Sequence, residues 1–437
     1  MQEAELRWNL TTRVAFRFVF VYLGLMCLNL NLIQDIIFII TGKFLKWGSV
    51  DLLWRNSVPW FGRHFLHVNI AGSRGGDSPF AWVQFLFMLV IAATATVVWS
   101  VLDRARPNYA RLHQWLRVVV RLTLAGAMIS YGANKVYPFQ FGGPLSLSRL
   151  STSLGSLTSA AMLWAFMAAS TGYTIFSGLA ELTSAILLIV PRLANLGALV
   201  VIGVMANVFA LNVFYDVEVK IYSFQYLMMG VFLIAPELRR LADVLVFNRT
   251  VQSAVRPQLF QRRLMNRIAL VAQLVLGGLF LVGSLHAQGK DYASWREYLA
   301  PKSPLYGIWI VNDFEVAGSP PALSGEKRWH RLIFEDPRSV YVVSSIGETY
   351  AAELNLDDKQ NRLTFTHQPQ FDADDKQSAL TLSGIANLNL KANFHFERPQ
   401  PDELVLDGDI ADNKAHIVLQ RVESKFPLTD SAIHWVQ

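Results

Sequence analysis

The chain has 437 residues, of which 52% are hydrophobic and only 16% charged, and its mean hydropathy is +0.30. Ordinary soluble domains carry about a quarter charged residues, so this composition excludes one and requires several membrane spans. The net charge of +6 comes largely from arginines beside apolar runs, the distribution of topology determinants, and no basic face with aromatic readers accompanies it, which excludes nucleic acid as a partner.

Taken in order, apolar runs long enough to cross a bilayer predict seven spans, near 13–33, 80–102, 115–136, 160–190, 193–215, 221–242 and 266–287. The first follows a short polar start and has no small-residue cleavage site, so it is expected to be retained as a span. It carries Cys27, the chain's one cysteine, which excludes an internal disulfide or a Cys-based metal site and reads as a small buried hydrophobe. The connection from Gln34 to Pro79 mixes Trp47, Trp54, Trp60 and Phe61 with Lys46, Arg55 and Arg63, which suits helices lying at the interface with aromatics at headgroup level. The fourth run is long for one crossing and contains Ser170, Thr171, Gly172 and Gly178, so its first part is expected to be a separate interfacial or re-entrant piece.

Arginines concentrate in the even-numbered loops, at Arg104, Arg106 and Arg111, at Arg192, and from Arg239 to Arg267. This bias predicts a cytoplasmic N-terminus and, after seven spans, an extracytoplasmic C-terminal domain in the plasma (inner) membrane. A polar linker over 288–304 leads into that domain. From residue 305 the pattern changes to short alternating runs at 307–316, 331–334, 340–344, 350–354, 362–366, 380–383, 392–397, 403–406 and 415–421, separated by turn signals such as Asp357-Asp358 and Asp412-Asn413. Eight or nine short strands in about 115 residues predict a small antiparallel up-and-down barrel.

The functional candidates lie between Arg121 and Lys220. An ionisable group at membrane depth costs at least about 2.5 kcal/mol on insertion scales, so Lys135, Glu181, Asp216 and Lys220 on neighbouring segments suggest a shared polar cavity. Lys135 falls at a helix end, where a lysine can snorkel to the headgroups. Glu181 stands about ten residues before Pro191, roughly 15 Å deep, and needs a partner or water there. Tyr131, Asn212 and Tyr215 complete the expected cavity. Asn207 and Asn212 are separated by about 140° around their helix, so they do not share a face; Asn207 reads as a hydrogen bond between helices and Asn212 as part of the outer mouth. Asp216 and Lys220 are spaced for a local ion pair. His64 and His67, three apart, could share a helical face as ligands of a metal or cofactor, but two ligands without a nearby acidic residue or third histidine are a weak signal, and packing at the interface is the reading preferred.

Two resemblances follow from these residues. Gly307-Ile308-Trp309 on the first strand and Leu419-Gln420-Arg421 on the last resemble the lipocalin or calycin pattern, which implies a barrel base closed by a cation–π pair between Trp309 and Arg421 and an interior suited to an apolar ligand. The Arg121-Leu122 start, Tyr131-Gly132 followed by Lys135, Gly178-Leu179-Ala180-Glu181, the Arg192 turn with Gly197, and Phe232-Leu233 near Pro236 resemble the DoxX-like family of helical membrane proteins. That resemblance implies a four-helix membrane core over about 115–246 and, as in some members, association with quinone- or thiosulfate-linked oxidoreductases. A shorter likeness, a glycine and a lysine, is to the membrane domain of the vitamin K-dependent gamma-carboxylases, in which Lys135 would correspond to a basic catalytic lysine.

The sequence therefore predicts an α-helical polytopic membrane protein over 1–287 followed by a β-barrel over 305–437. Three functions are compatible with it: a quinone-linked membrane component with Lys135, Glu181 and Asp216 in its site and a membrane redox partner; a carrier or sensor of an apolar ligand; and a non-catalytic scaffold of a membrane complex.

Overall fold

A computed structural model describes residues 7–29, 50–70, 75–143, 145–252, 259–318, 325–366, 385–387, 391–423 and 425–430. The helices are α1 (Leu10–Asn29), α2 (Val50–Phe61), α3 (Pro79–Leu102), α4 (Ala110–Val136), α5 (Leu147–Ser151), α6 (Ser159–Ala169), α7 (Thr171–Ile189), α8 (Ala194–Phe214), α9 (Lys220–Ile234), α10 (Leu238–Leu245), α11 (Arg263–Leu299) and α12 (Pro427–Asp430). Seven helical stretches are long and apolar enough to span a bilayer: α1, α3, α4, α7, α8, Lys220–Leu245 and α11. The protein is a multi-pass membrane protein with a C-terminal β-barrel. Residues 30–33 of the first expected span, Lys46 and Trp47 of the connection, and the expected strand at 380–383 lie outside the described residues.

Local chemistry sets the helix starts. Ser78 caps α3 by accepting from the Ala81 amide, with Pro79 in the first turn, where its missing N–H costs nothing. The long fourth run is cut in two because Thr158 caps α6 through the Ala161 amide and Ser170 caps α7 through the Tyr173 amide. The separate first piece is thus a helix of its own.

The chain divides into two compact units, residues 1–137 with 175–289, and residues 138–174 with 290–437. In the first unit α4 is the central helix, with 61% of its apolar window buried, against 17% for α3 and α11. Val120, Leu124 and Met128 of α4 pack with Leu23 and Met26 of α1, Ala185 and Leu188 of α7, Val201 and Met205 of α8, and Met229 of α9. In the connection before α3, Trp54, Val58 and Phe61 of α2 form a core cluster with Phe80, Val83 and Met88 of α3, while Trp60 stays 47% exposed.

The second unit is built on nine strands, β1 (Gly307–Val316), β2 (Trp329–Phe334), β3 (Ser339–Ser344), β4 (Thr349–Asp357), β5 (Arg362–Thr366), β6 (Ile385–Asn387), β7 (Ala392–Glu397), β8 (Glu403–Ile410) and β9 (Asn413–Val422). Their order, β3-β2-β1-β9-β8-β7-β5-β4, closes through β3 and β4 into an eight-stranded antiparallel barrel, and β6 adds in parallel beside β4. Ala411 and Asp412, both at positive φ, make a two-residue turn between β8 and β9, the geometry that matches strand twist. The interior is filled by the chain's own side chains, among them Trp309, Trp329, Phe334, Phe365, Phe394 and Phe396.

Two further segments belong to this unit. The stretch expected as a linker continues α11 as helix to Leu299; Tyr292 and Trp295 pack with Phe139, and Arg338 lies 3.3 Å over the Tyr298 ring. Residues 145–156 cover the outer wall of the barrel. Leu147 packs on Ile308, Ile333 and Val343, and both oxygens of Glu335 accept from Ser148, from its amide at 2.8 Å and its hydroxyl at 3.1 Å. Burial pushes the Glu335 carboxyl above the usual range, against the pull of these Ser148 bonds.

Candidate functional site

The site is built where α4 and α7 cross. A Cβ on Gly132 would lie 2.8 Å from the Gly178 carbonyl oxygen and 2.7 Å from Leu182, and a Cβ on Gly178 would lie 2.8 Å from the Gly132 carbonyl oxygen and 2.9 Å from the Val136 nitrogen. The later residue of each helix meets the earlier one of the other, so the two run in opposite directions at this point. One turn beyond each glycine stand Lys135 and Glu181. Because Cα–Cβ bonds lean toward a helix's N-terminus, side chains on an antiparallel pair lean toward each other.

Lys135 Nζ donates to both carboxylate oxygens of Glu181, at 2.8 and 2.9 Å, with the two side chains only 8% and 1% exposed. Lys135 therefore does not snorkel; its charge is answered inside the bundle. The ammonium also lies 5.2 Å from the Tyr131 ring, a cation–π contact, and Tyr131 packs edge-on against Tyr226 of α9. The Tyr131 phenol is within electrostatic reach of Glu181, Tyr222 and Asp77.

The third expected catalytic residue is not part of this pair. Asp216 sits on the α8–α9 turn with its side chain 87% exposed and φ at +54°, and binds Lys220 Nζ at 2.8 Å. Lys220 also approaches Asp77 at 3.5 Å, and the Asp77 carboxylate accepts the Lys220 and Ile221 amides at 2.9 and 3.0 Å, capping α9. Side-chain exposure falls along this series, from 87% at Asp216 through 25% at Lys220 to 8% at Asp77. Asn212 is no mouth residue: its amide donates to Ser223 Oγ at 3.0 Å and ties α8 to α9. Asn207, expected to tie helices, instead faces outward, and Tyr215 is half-buried at the end of α8.

At the barrel, Trp309 and Arg421 are partners in the β1–β9 ladder, but the guanidinium over the Trp309 ring is that of Arg398, at 6.0 Å. Arg421 donates to the Tyr306 carbonyl and lies against Gly307. His64 and His67 do not share a helical face, since His67 follows the last turn at φ +56°, and among the described residues no group of histidine, cysteine and carboxylate side chains could hold a metal.

Sequence reasoning missed three polar anchors: Asp77; Arg17, which is buried and binds the Tyr109 hydroxyl, Ser100 and the Asp103 carbonyl; and Arg121, which donates to Gln273. Gly76-Asp77-Ser78-Pro79 reads as a helix start, and nothing in it signals a carboxylate reaching α9.

No family model matches the chain, and no solved structure matches it. It is similar to the uncharacterized protein YwoB of Bacillus subtilis, 29% identical over 124 residues, which cover 28% of this chain and 78% of that protein. That likeness brings no activity with it.

Proposed function

We propose that the protein is a DoxX-like integral membrane component of quinone-linked redox chemistry, with Lys135 and Glu181 as its proton-handling site. The observation that carries this reading is the buried Lys135–Glu181 ion pair inside the membrane bundle. Buried charge pairs are weak evidence for stability, since apolar replacements often stabilise more, while ionisable groups within spans mark ion and proton pathways. A quinone would suit the donor set: on separation of the pair, Lys135 would offer an N–H to a carbonyl oxygen beside the Tyr131 ring, and Glu181, reloaded from the surface, would pass on the proton that this oxygen takes up as electrons arrive from the membrane redox partner. A quinone supplies the electron-accepting chemistry, and the chain's own residues bind, orient and exchange protons. Asp77, Lys220 and Asp216, with their graded exposure, are the groups through which protons reach Tyr131 and Glu181 from the surface.

The arginine distribution supports a cytoplasmic N-terminus and an extracytoplasmic barrel in the plasma membrane. The filled barrel interior favours a supporting over a ligand-carrying role for that lipocalin-like domain. The deciding experiment is mass spectrometry, with an absorption spectrum, of the small molecules retained by protein purified in mild detergent. A quinone or other redox species retained by the native chain and lost on Lys135→Ala or Glu181→Gln is the expected result. Ordinary phospholipid alone, unchanged by either substitution, overturns the reading and leaves a scaffold.

A further inference from the structure

The fifth span carries one polar group that the fold leaves unused. Asn207 of α8 is exposed, seven residues before Phe214 and so roughly 10 Å inside the span, and it forms no side-chain hydrogen bond among the described residues. Asn212, on a different face of the same helix, is buried and satisfied by Ser223. Hydrocarbon offers an amide no partner, so a carboxamide on the outside of a span calls for one from another protein surface. Around it the outward face is Leu199, Gly203 and Ala206, all exposed, and a Cβ on Gly203 would meet nothing within 4 Å. Small groups beside the amide let a second backbone come close.

We propose that this face is a dimer seam, on which a second copy of this chain packs in the bilayer with the two Asn207 amides paired. The second copy is the occupant because a carboxamide is donor and acceptor at once, and a twofold axis running beside Asn207 brings that residue against its own equivalent. A carboxylate or ammonium at the same place would repel its copy; an amide satisfies it.

The lone Cys27 is buried, which makes the test clean. On a Cys27→Ala background, single cysteines replace Asn207, Gly203 and, as a control, Val97, a residue 64% exposed on α3. Oxidation in native membranes is expected to give disulfide dimers at positions 207 and 203 and few at 97. In parallel, energy transfer between labelled copies in lipid-diluted bilayers is expected to show association weakened about threefold to tenfold by Asn207→Leu. Cross-linking at 207 no greater than at 97 overturns the proposal. So does association unchanged by Asn207→Leu at equal yield of folded protein.

Discussion

Gly132 and Gly178 face each other at the crossing of α4 and α7, each placed so that a Cβ on it would come within 2.8 Å of the other's carbonyl oxygen. This contact sets the reach of Lys135 to Glu181. Gly178→Val is expected to force the helices apart and cost about 1–3 kcal/mol, as overpacking does. Thermal unfolding in detergent checks this, and Gly278→Val on α11, where a Cβ would meet nothing within 4 Å, serves as the neutral comparison.

Lys135 and Glu181 should fail a simple additivity test. Removing one partner of a buried pair costs about 3–5 kcal/mol, because the other charge is stranded, whereas an apolar pair of similar volume is often tolerated. Lys135→Met and Glu181→Leu should each destabilise strongly and together recover most of the loss. If the pair has only a structural role, the stable double variant keeps every property of the native protein; under the redox reading it loses its small-molecule content.

Asp77 and Asp216 both touch Lys220, and they should not be equivalent. Asp77→Ala removes a helix cap and is expected to cost about 1 kcal/mol. Asp216→Ala breaks only a surface ion pair with an 87% exposed carboxylate, where effects are near zero to about 1 kcal/mol. Denaturation of the two variants side by side decides between them.

On the barrel surface His416 Nδ1 meets Asp407 at 2.5 Å, and this hydrogen bond raises the imidazole above its ordinary value of 6.5. A folded-state value above the unfolded one means that the contribution is fully present below the unfolded value and is lost as pH rises through the folded one. Thermal stability of the full chain should therefore fall slightly as pH rises above 6.5, and His416→Asn should flatten that slope.

Apolar run length was enough to find all seven spans, with the fourth beginning at Thr171 and the seventh helix continuing to Leu299, and strand alternation placed the barrel, because both patterns are local. The pairing of Lys135 with Glu181 was not legible, although each residue was singled out, since it depends on a glycine crossing between helices 46 positions apart in sequence. Asn212, and not Asn207, ties helices for a related reason. Helical spacing fixes the angle between them, but α8 is apolar on every side, so nothing in the sequence says which of the two points inward. Arg17 and Tyr109 meet across 92 positions, and no spacing rule links them.

The covering of the barrel wall by residues 145–156 bears on how the chain is made. Leu147 and Ser148 leave the ribosome well before Ile308, Ile333, Glu335 and Val343, the residues they pack on. Until β1, β2 and β3 exist, that segment has no surface to dock on, and closing β1 against β9 comes later still. Synthesis therefore proceeds for more than a hundred residues with an early loop waiting. A fragment beginning at residue 300 would leave Ile308, Ile333 and Val343 without the cover of Leu147, a patch of the kind that drives aggregation.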